Sequence, residues 1–205
     1  MKNSKKFNTT TKKTVLLSDL ATVQVGLAFR TAAEFAPDDG VVVLHMRDVS
    51  DGERLVLGEK FTKYAVKSSK AYQVQPGDVI VKTRGAETFG AGIVSVVETE
   101  AMFAAPLLRI RANAEKMLPE YLCWYLNQKP SQDFLRMQAV GTIQKSITKQ
   151  HLDMLPIIVP SMQEQRMIVE ITSLQQRAMH IEKQLSTLRV RYADGWARAW
   201  IQQRS

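Results

Sequence analysis

Apolar residues change their spacing twice along this chain, and the changes divide it into three. Over the first half they come in short runs between turn residues. Val41, Val42, Val43 and Leu44 open a β-branched run that reaches Met46; Asp51-Gly52 marks a turn, and Arg54 to Leu57 beyond it are expected to pair back on that run. Val74-Gln75-Pro76-Gly77-Asp78 predicts a turn before a strand at Val79-Ile80-Val81. Gly90 and Gly92 are expected to break the chain before a strand over residues 93–97, and residues 107–111 alternate as one more. Ahead of these, Ser18 is placed to cap a short helix through Asp19, Leu20 and Ala21, with Gly26 closing the segment that follows.

From Leu118 the spacing turns helical. Pro119 suits a first helical position, and Tyr121, Leu122, Tyr125 and Leu126 lay an apolar stripe on one face. A second short helix is expected from about Ser131, carrying Phe134, Leu135 and Met137. Residues 141–146 read as a polar loop, Thr148 as the cap of a turn through Leu152, and Pro156 and Pro160 as the ends of a short apolar strand. The body is therefore α+β, mostly β, with short helices.

The last stretch differs in kind. It begins with a capping box, Ser161-Met162-Gln163-Glu164, in which serine and glutamate satisfy each other's exposed amides. Ile171, Leu174, Ala178, Ile181, Leu185, Leu188, Tyr192 and Gly195 then alternate steps of three and four without a proline. A helix over residues 162–203 would be about 60 Å long, longer than the body can cover, so its stripe calls for a partner helix. The alternative is an amphipathic helix folded back on its own body. Trp196 and Trp200, one turn apart beside Tyr192, suit either a partner hot spot or a cap on the coiled coil.

Composition narrows the picture. The chain has 205 residues and a net charge of +8, but the charge is unevenly placed. Lys2, Lys5, Lys6, Lys12 and Lys13 give the first 13 residues +5 with no acid, and the region from Met162 adds +3. Between them 16 basic residues balance 16 acidic ones, so the folded body is neutral. The tail is either an arm for phosphates or a solubilising extension. No run approaches the roughly 20 apolar residues of a membrane span, and the tail lacks the apolar core of a secretory signal; a cytoplasmic protein with no membrane partner is expected. Cys123 has no second cysteine to pair with and sits between Leu122 and Trp124, as a buried apolar residue would. His45, His151 and His180 lie too far apart in sequence to suggest a zinc site, and no cofactor is implied.

Motif order resembles the specificity subunit of Type I restriction-modification enzymes. The resemblance runs through Leu17-Ser18-Asp19-Leu20-Ala21 with Gly26, Arg47-Asp48-Val49, Pro76-Gly77-Asp78-Val79-Ile80-Val81 and Arg84-Gly85. It continues through Pro119-Glu120-Tyr121-Leu122, Gly141-Thr142-Ile143-Gln144-Lys145-Ser146-Ile147, Leu155-Pro156-Ile157-Ile158-Val159-Pro160 and Glu164-Gln165, followed at once by the heptad helix. Members usually carry two target-recognition domains and two helices that pair antiparallel, whereas this chain has one of each and no internal repeat. The resemblance thus implies a half-length form: a basic flexible tail over residues 1–13, a DNA target-recognition domain over 14–160, and a dimerising helix over 161–205. It also implies double-stranded DNA, a methyltransferase subunit, a motor-nuclease subunit and a second copy of the chain as partners.

Enzymatic signatures are missing independently of that resemblance. Gly90-Ala91-Gly92 is too short for a nucleotide loop, no Asn-Pro-Pro or Asp-Pro-Pro loop occurs, and Asp78 has no acidic companion for a nuclease metal. A non-catalytic recognition subunit is expected. Lys82, Thr83 and Arg84, where a strand meets the glycine-rich loop, and Thr142, Gln144 and Lys145, after Gly141, are candidates for DNA contact; solvated loop residues are the plainer alternative. Arg and Gln can bond base edges in pairs, and Lys more often neutralises phosphate. Lys63, Lys67 and Lys70 recur at helical spacing and suggest a phosphate-facing row or a solvated face. A coiled-coil adaptor with a β-rich protein-binding head would share much of this pattern.

Overall fold

In the computed structural model, residues 14–29, 35–36, 38–58, 60–85, 88–142 and 144–202 are described; the basic tail and Ile143 lie outside them. The chain divides into two compact units, one ending at Gln165 and one beginning at Arg166.

In the first unit, β1 (Thr14–Leu16) pairs antiparallel with β12 (Pro156–Ile158), the strand expected between the two prolines. A single 3-10 turn, Leu17–Asp19, follows, and Ala21 already begins β2 (Ala21–Val25). The expected helix capped by Ser18 is corrected here: Leu16 occupies the cap position and no side chain caps the turn. Leu17 and Leu20 are buried and Val23 follows inward, a spacing that serves a turn entering a strand as well as a helix.

Five strands form the main sheet in the order β2, β10 (Leu107–Ala112), β6 (Val79–Lys82), β8 (Ala91–Val97) and β4 (Arg54–Leu57). All neighbours are antiparallel except β4 and β8. A second sheet holds β5 (Lys63–Tyr64), β3 (Val41–Leu44) and β9 (Ala101–Phe103). The hairpin expected across Asp51-Gly52 is therefore not formed. β3 runs parallel to β9, and β4 crosses to the other sheet to run parallel to β8. Alternation explains the choice: Val42, Leu44, Leu55, Leu57, Ile80, Val94, Phe103 and Leu107 interlock between the two sheets in one buried cluster, an arrangement a local hairpin cannot provide. Gly92 lies inside β8, paired with Ile80, and does not break it.

The far face of the main sheet is covered by α1 (Pro119–Leu126), which packs on β6, β8 and β10 through buried Tyr121, Leu122 and Leu126. Pro119 opens this helix as expected. Next come α2 (Lys129–Gln138), two residues earlier than expected because Pro130 is accommodated in the first turn, and α3 (Lys149–Asp153), capped by Thr148. Met137 projects into solvent while Leu135 is buried. The family-like Asp78 is wholly buried, and its carboxylate accepts two hydrogen bonds from Arg111 at 2.7 and 2.8 Å and one from the Gln75 amide at 2.8 Å. That pairing raises the Arg111 pKa through its hydrogen bonds to Asp78.

The second unit is α4 (Met162–Gln202) from Arg166 onward, in a helix of 41 residues. Its capping box forms as expected, the Ser161 amide donating to Glu164 and the Glu164 amide to the Ser161 hydroxyl. Ile171, Leu174, Ile181, Leu185, Leu188 and Tyr192 are all exposed, between 47 and 78%. Trp196 and Trp200 stack on one another with centroids 6.5 Å apart. The architecture is thus α+β with one long C-terminal helix.

Candidate nucleic-acid interface

Two of the candidate segments, some sixty residues apart in sequence, meet in space. β7 (Arg84–Gly85) pairs antiparallel with β11 (Lys145–Ser146), placing Ser146 opposite Arg84 and Lys145 opposite Gly85. The ladder continues inward through the Ile147 amide, which donates to the Thr83 carbonyl at 2.9 Å. On the β11 side, Val140 and Ser146 exchange two backbone hydrogen bonds and close the 141–145 loop. Gly141 makes that closure possible: its φ is +112°, and a Cβ there would meet the Gln144 carbonyl oxygen at 2.4 Å. The result is a two-stranded ribbon with Arg84 and Lys145 exposed on it and Thr142 and Gln144 exposed in the adjoining loop.

The other candidates divide. Thr83 is buried, and its hydroxyl donates to the Pro106 carbonyl at 2.6 Å, so it belongs to the scaffold under the ribbon. Lys82 forms an ion pair of 2.5 Å with Asp51 and is mostly covered. Asp51 also accepts from the Thr88 hydroxyl at 3.0 Å and lies against Gly90, where a Cβ would come within 1.7 Å of its carboxylate oxygen and force the Asp51 side chain to move. Lys63, Lys67 and Lys70 do not form a helical row. Lys63 lies in β5, Lys67 in irregular chain and Lys70 opens a 3-10 turn, Lys70–Tyr72. Tyr64 and Val66 favour extended chain here, and Lys67 and Lys70 remain exposed on either side of Ser68 and Ser69.

Sequence reasoning missed Asp51, Asn127 and Gln132. Only Gln132 left a trace, standing three residues before Leu135 and so on the inward face of α2, where a polar residue must find partners. Arg109 was also missed. Its guanidinium donates to the Gln73 carbonyl at 2.5 Å and to Gln24, and lies 5.2 Å from the centre of the Phe103 ring; burial lowers its pKa. Cys123 is a buried thiol pushed up to about 12, chiefly by burial, and so is unsuited to nucleophilic work at neutral pH. Among the described residues no three His, Cys, Asp or Glu side chains gather to hold a metal, and no helix is long and apolar enough to cross a membrane.

Comparison with known proteins adds to this geometry. No curated protein matches the chain. Solved structures do. The HsdS subunit from Thermoanaerobacter tengcongensis superposes with a TM-score of 0.61 at 16% identity, over 83% of this chain and 39% of that one. A chain from a structure of the complex assembly and conformational transition of the type I R-M system gives 0.61 at 17%, over 83% and 40%. The S subunit of the Type-I restriction-modification system from M. genitalium gives 0.54 at 13%, over 86% and 41%. The chain thus spans about 40% of the length of each of these structures, and the likeness is one of fold. The model of the Type I restriction modification DNA specificity domain matches residues 10–188, and the chain belongs to that family.

Proposed function

We propose that this chain is a DNA-recognition subunit of a Type I restriction-modification complex, in which the ribbon of β7 and β11 reads one half of a split target. The observation that carries this is the pairing of β7 with β11, which brings exposed Arg84 and Lys145 onto one two-stranded ribbon, with exposed Thr142 and Gln144 in the loop that leads into β11. A ribbon of two strands fits the major groove, where Arg can bond guanine and Gln adenine through paired hydrogen bonds. Lys145 beside them, with Lys63, Lys67 and Lys70 elsewhere on the body, supplies charge for phosphates, and Lys82 and Thr83 support the ribbon from below.

The remaining steps follow from the helix. Two copies bury their stripes against each other about a twofold axis, from Ile171 to Tyr192, with Trp196 and Trp200 offered to a partner. The domain limits would be 14–160 for recognition and 161–205 for the helix, with residues 1–13 as a basic arm. The dimer recruits a methyltransferase subunit and a nuclease subunit in the cytoplasm, and methylation appears only when the methyltransferase is present.

Selection of bound duplexes from a random pool, followed by titration at several salt concentrations, tests the reading. We expect one enriched split sequence, and Arg84→Ala or Gln144→Ala should cost roughly 1–3 kcal/mol of discrimination at one base position each. No enrichment, with binding that is uniform or absent, favours instead an adaptor whose β-rich head binds protein.

A further inference from the structure

Both limbs of the ribbon are tied to α2 or to the turn that leads into it, by different means. The β11 limb is rooted by chain continuity, since Val140 enters its bridge with Ser146 two residues after the helix ends at Gln138. The β7 limb leaves β6 through buried Thr83 at one end, and beyond its other end the chain is held by side chains. Four residues beyond Gly85, the Phe89 amide donates to Gln132 Oε1 at 2.9 Å, and Gln132 Nε2 donates to the Phe89 carbonyl at 3.3 Å and the Leu126 carbonyl at 2.7 Å. Two residues further on, the Ala91 amide donates to Asn127 Oδ1 at 3.0 Å, while Asn127 Nδ2 donates to the Ala91 carbonyl at 2.9 Å.

A carboxamide carries the same donor and acceptor as a peptide group. Spaced on alternate residues, the two amides bond one edge of the 89–91 segment as a neighbouring strand would, with the Gly52 amide also donating to the Ala91 carbonyl at 2.7 Å, while β6 bonds the other edge through the Lys82 amide on the Gly90 carbonyl at 3.0 Å. Phe89 and Gln132 are 1 and 5% exposed, so water cannot replace these bonds without movement of the segment.

We propose, resting on the DNA-reading function above, that Gln132 and Asn127 are positioning residues for sequence discrimination: their amides act as a surrogate strand that fixes the β7 limb to the helix that launches the β11 limb. The two limbs then hold one register. Without Gln132 the Phe89 amide and Leu126 carbonyl are buried unpaired, and the segment shifts to satisfy them. Paired hydrogen bonds to base edges tolerate little such displacement, whereas charge on phosphate tolerates much more.

The test uses the full chain, duplexes selected by the wild-type protein, and the same duplexes carrying one mismatch. Gln132→Met removes the bonds at similar volume, Gln132→Glu keeps only the acceptor for Phe89, and Val42→Ala, between the sheets, serves as a control for lost stability. We expect discrimination to fall about tenfold in Gln132→Met with the salt dependence of binding unchanged, less in Gln132→Glu, and not at all in Val42→Ala. Faster hydrogen exchange at the Phe89 amide should accompany the loss. Wild-type discrimination in Gln132→Met, or an equal loss in Val42→Ala, overturns the positioning role alone. Should Gln132→Met not fold, an undiminished discrimination in Gln132→Glu overturns it. A wild-type protein that shows no preference overturns the DNA-reading function on which the proposal rests.

Discussion

The β-rich body and the long helix bury their apolar residues in opposite ways. In the body Leu44, Leu57, Ile80, Phe103 and Leu107 are wholly enclosed between two sheets. In the helix the residues of the heptad stripe stand open to solvent for its length. Burying a leucine or isoleucine side chain contributes roughly 1.5–3 kcal/mol; the body obtains that from its own chain, and the helix has it still to gain. The difference separates two kinds of information. The body's sequence specifies a shape that holds a ribbon in place, and the helix's sequence leaves an apolar stripe that the proposed dimer would bury.

The largest effect that sharpens this contrast is expected in the helix. Ile181→Asp with Leu185→Asp places charges on the stripe and should convert the proposed dimer to a monomer in light scattering, a weakening of a thousandfold or more on the scale of four lost apolar side chains and four introduced charges per dimer. A double variant that stays dimeric would remove the helix as the interface. A smaller effect concerns the body. Cys123 should remain unreactive toward thiol reagents at pH 8 in the wild type and in that double variant alike, since its enclosure owes nothing to association.

The sign of its pH dependence follows from the raised pKa. Below the ordinary value of 9.0 the thiol is neutral folded or unfolded, and its contribution to stability is fully present. As the pH rises from 9.0 toward about 12 the unfolded chain ionises while the folded one does not, and that contribution is lost. Denaturant titrations between pH 8 and 10.5 should therefore show a steeper decline for the wild type than for Cys123→Ala. Equal slopes would mean that the thiol is not enclosed.

What could be read from the sequence follows the same division. The capping box at Ser161, the Thr148 cap, Pro119 at the start of α1 and the stripe of α4 are local patterns, and each forms as read. Strand partners are not local. Val41 to Leu44 found β9 and β5 in place of the segment across the Asp51-Gly52 turn, because pairing was decided by which faces close the core. The lysine spacing at 63, 67 and 70 matched a helix by coincidence, with no cap and with Tyr64 and Val66 favouring extended chain. In the candidate interface the two glycine-flanked loops were legible separately; that Arg84 faces Ser146 was not, and of Asn127 and Gln132, whose side-chain amides bond backbone groups, only Gln132 left a trace in its spacing from Leu135.

In the proposed dimer the body reads a half-site and the helix sets the distance between two of them. Two copies about a twofold axis require an interrupted palindrome, with half-sites roughly 10 base pairs apart centre to centre. Deleting one heptad, residues 178–184, keeps the stripe in phase and shortens the helix by about 10 Å, the length of roughly three base pairs. The decisive measurement is a map of the methylated site of the complex assembled with its methyltransferase, for the wild type and for this deletion. Identical half-sites with the gap reduced by about three base pairs are expected; an asymmetric or uninterrupted target, or an unchanged gap, would rule out a helix that spaces two copies.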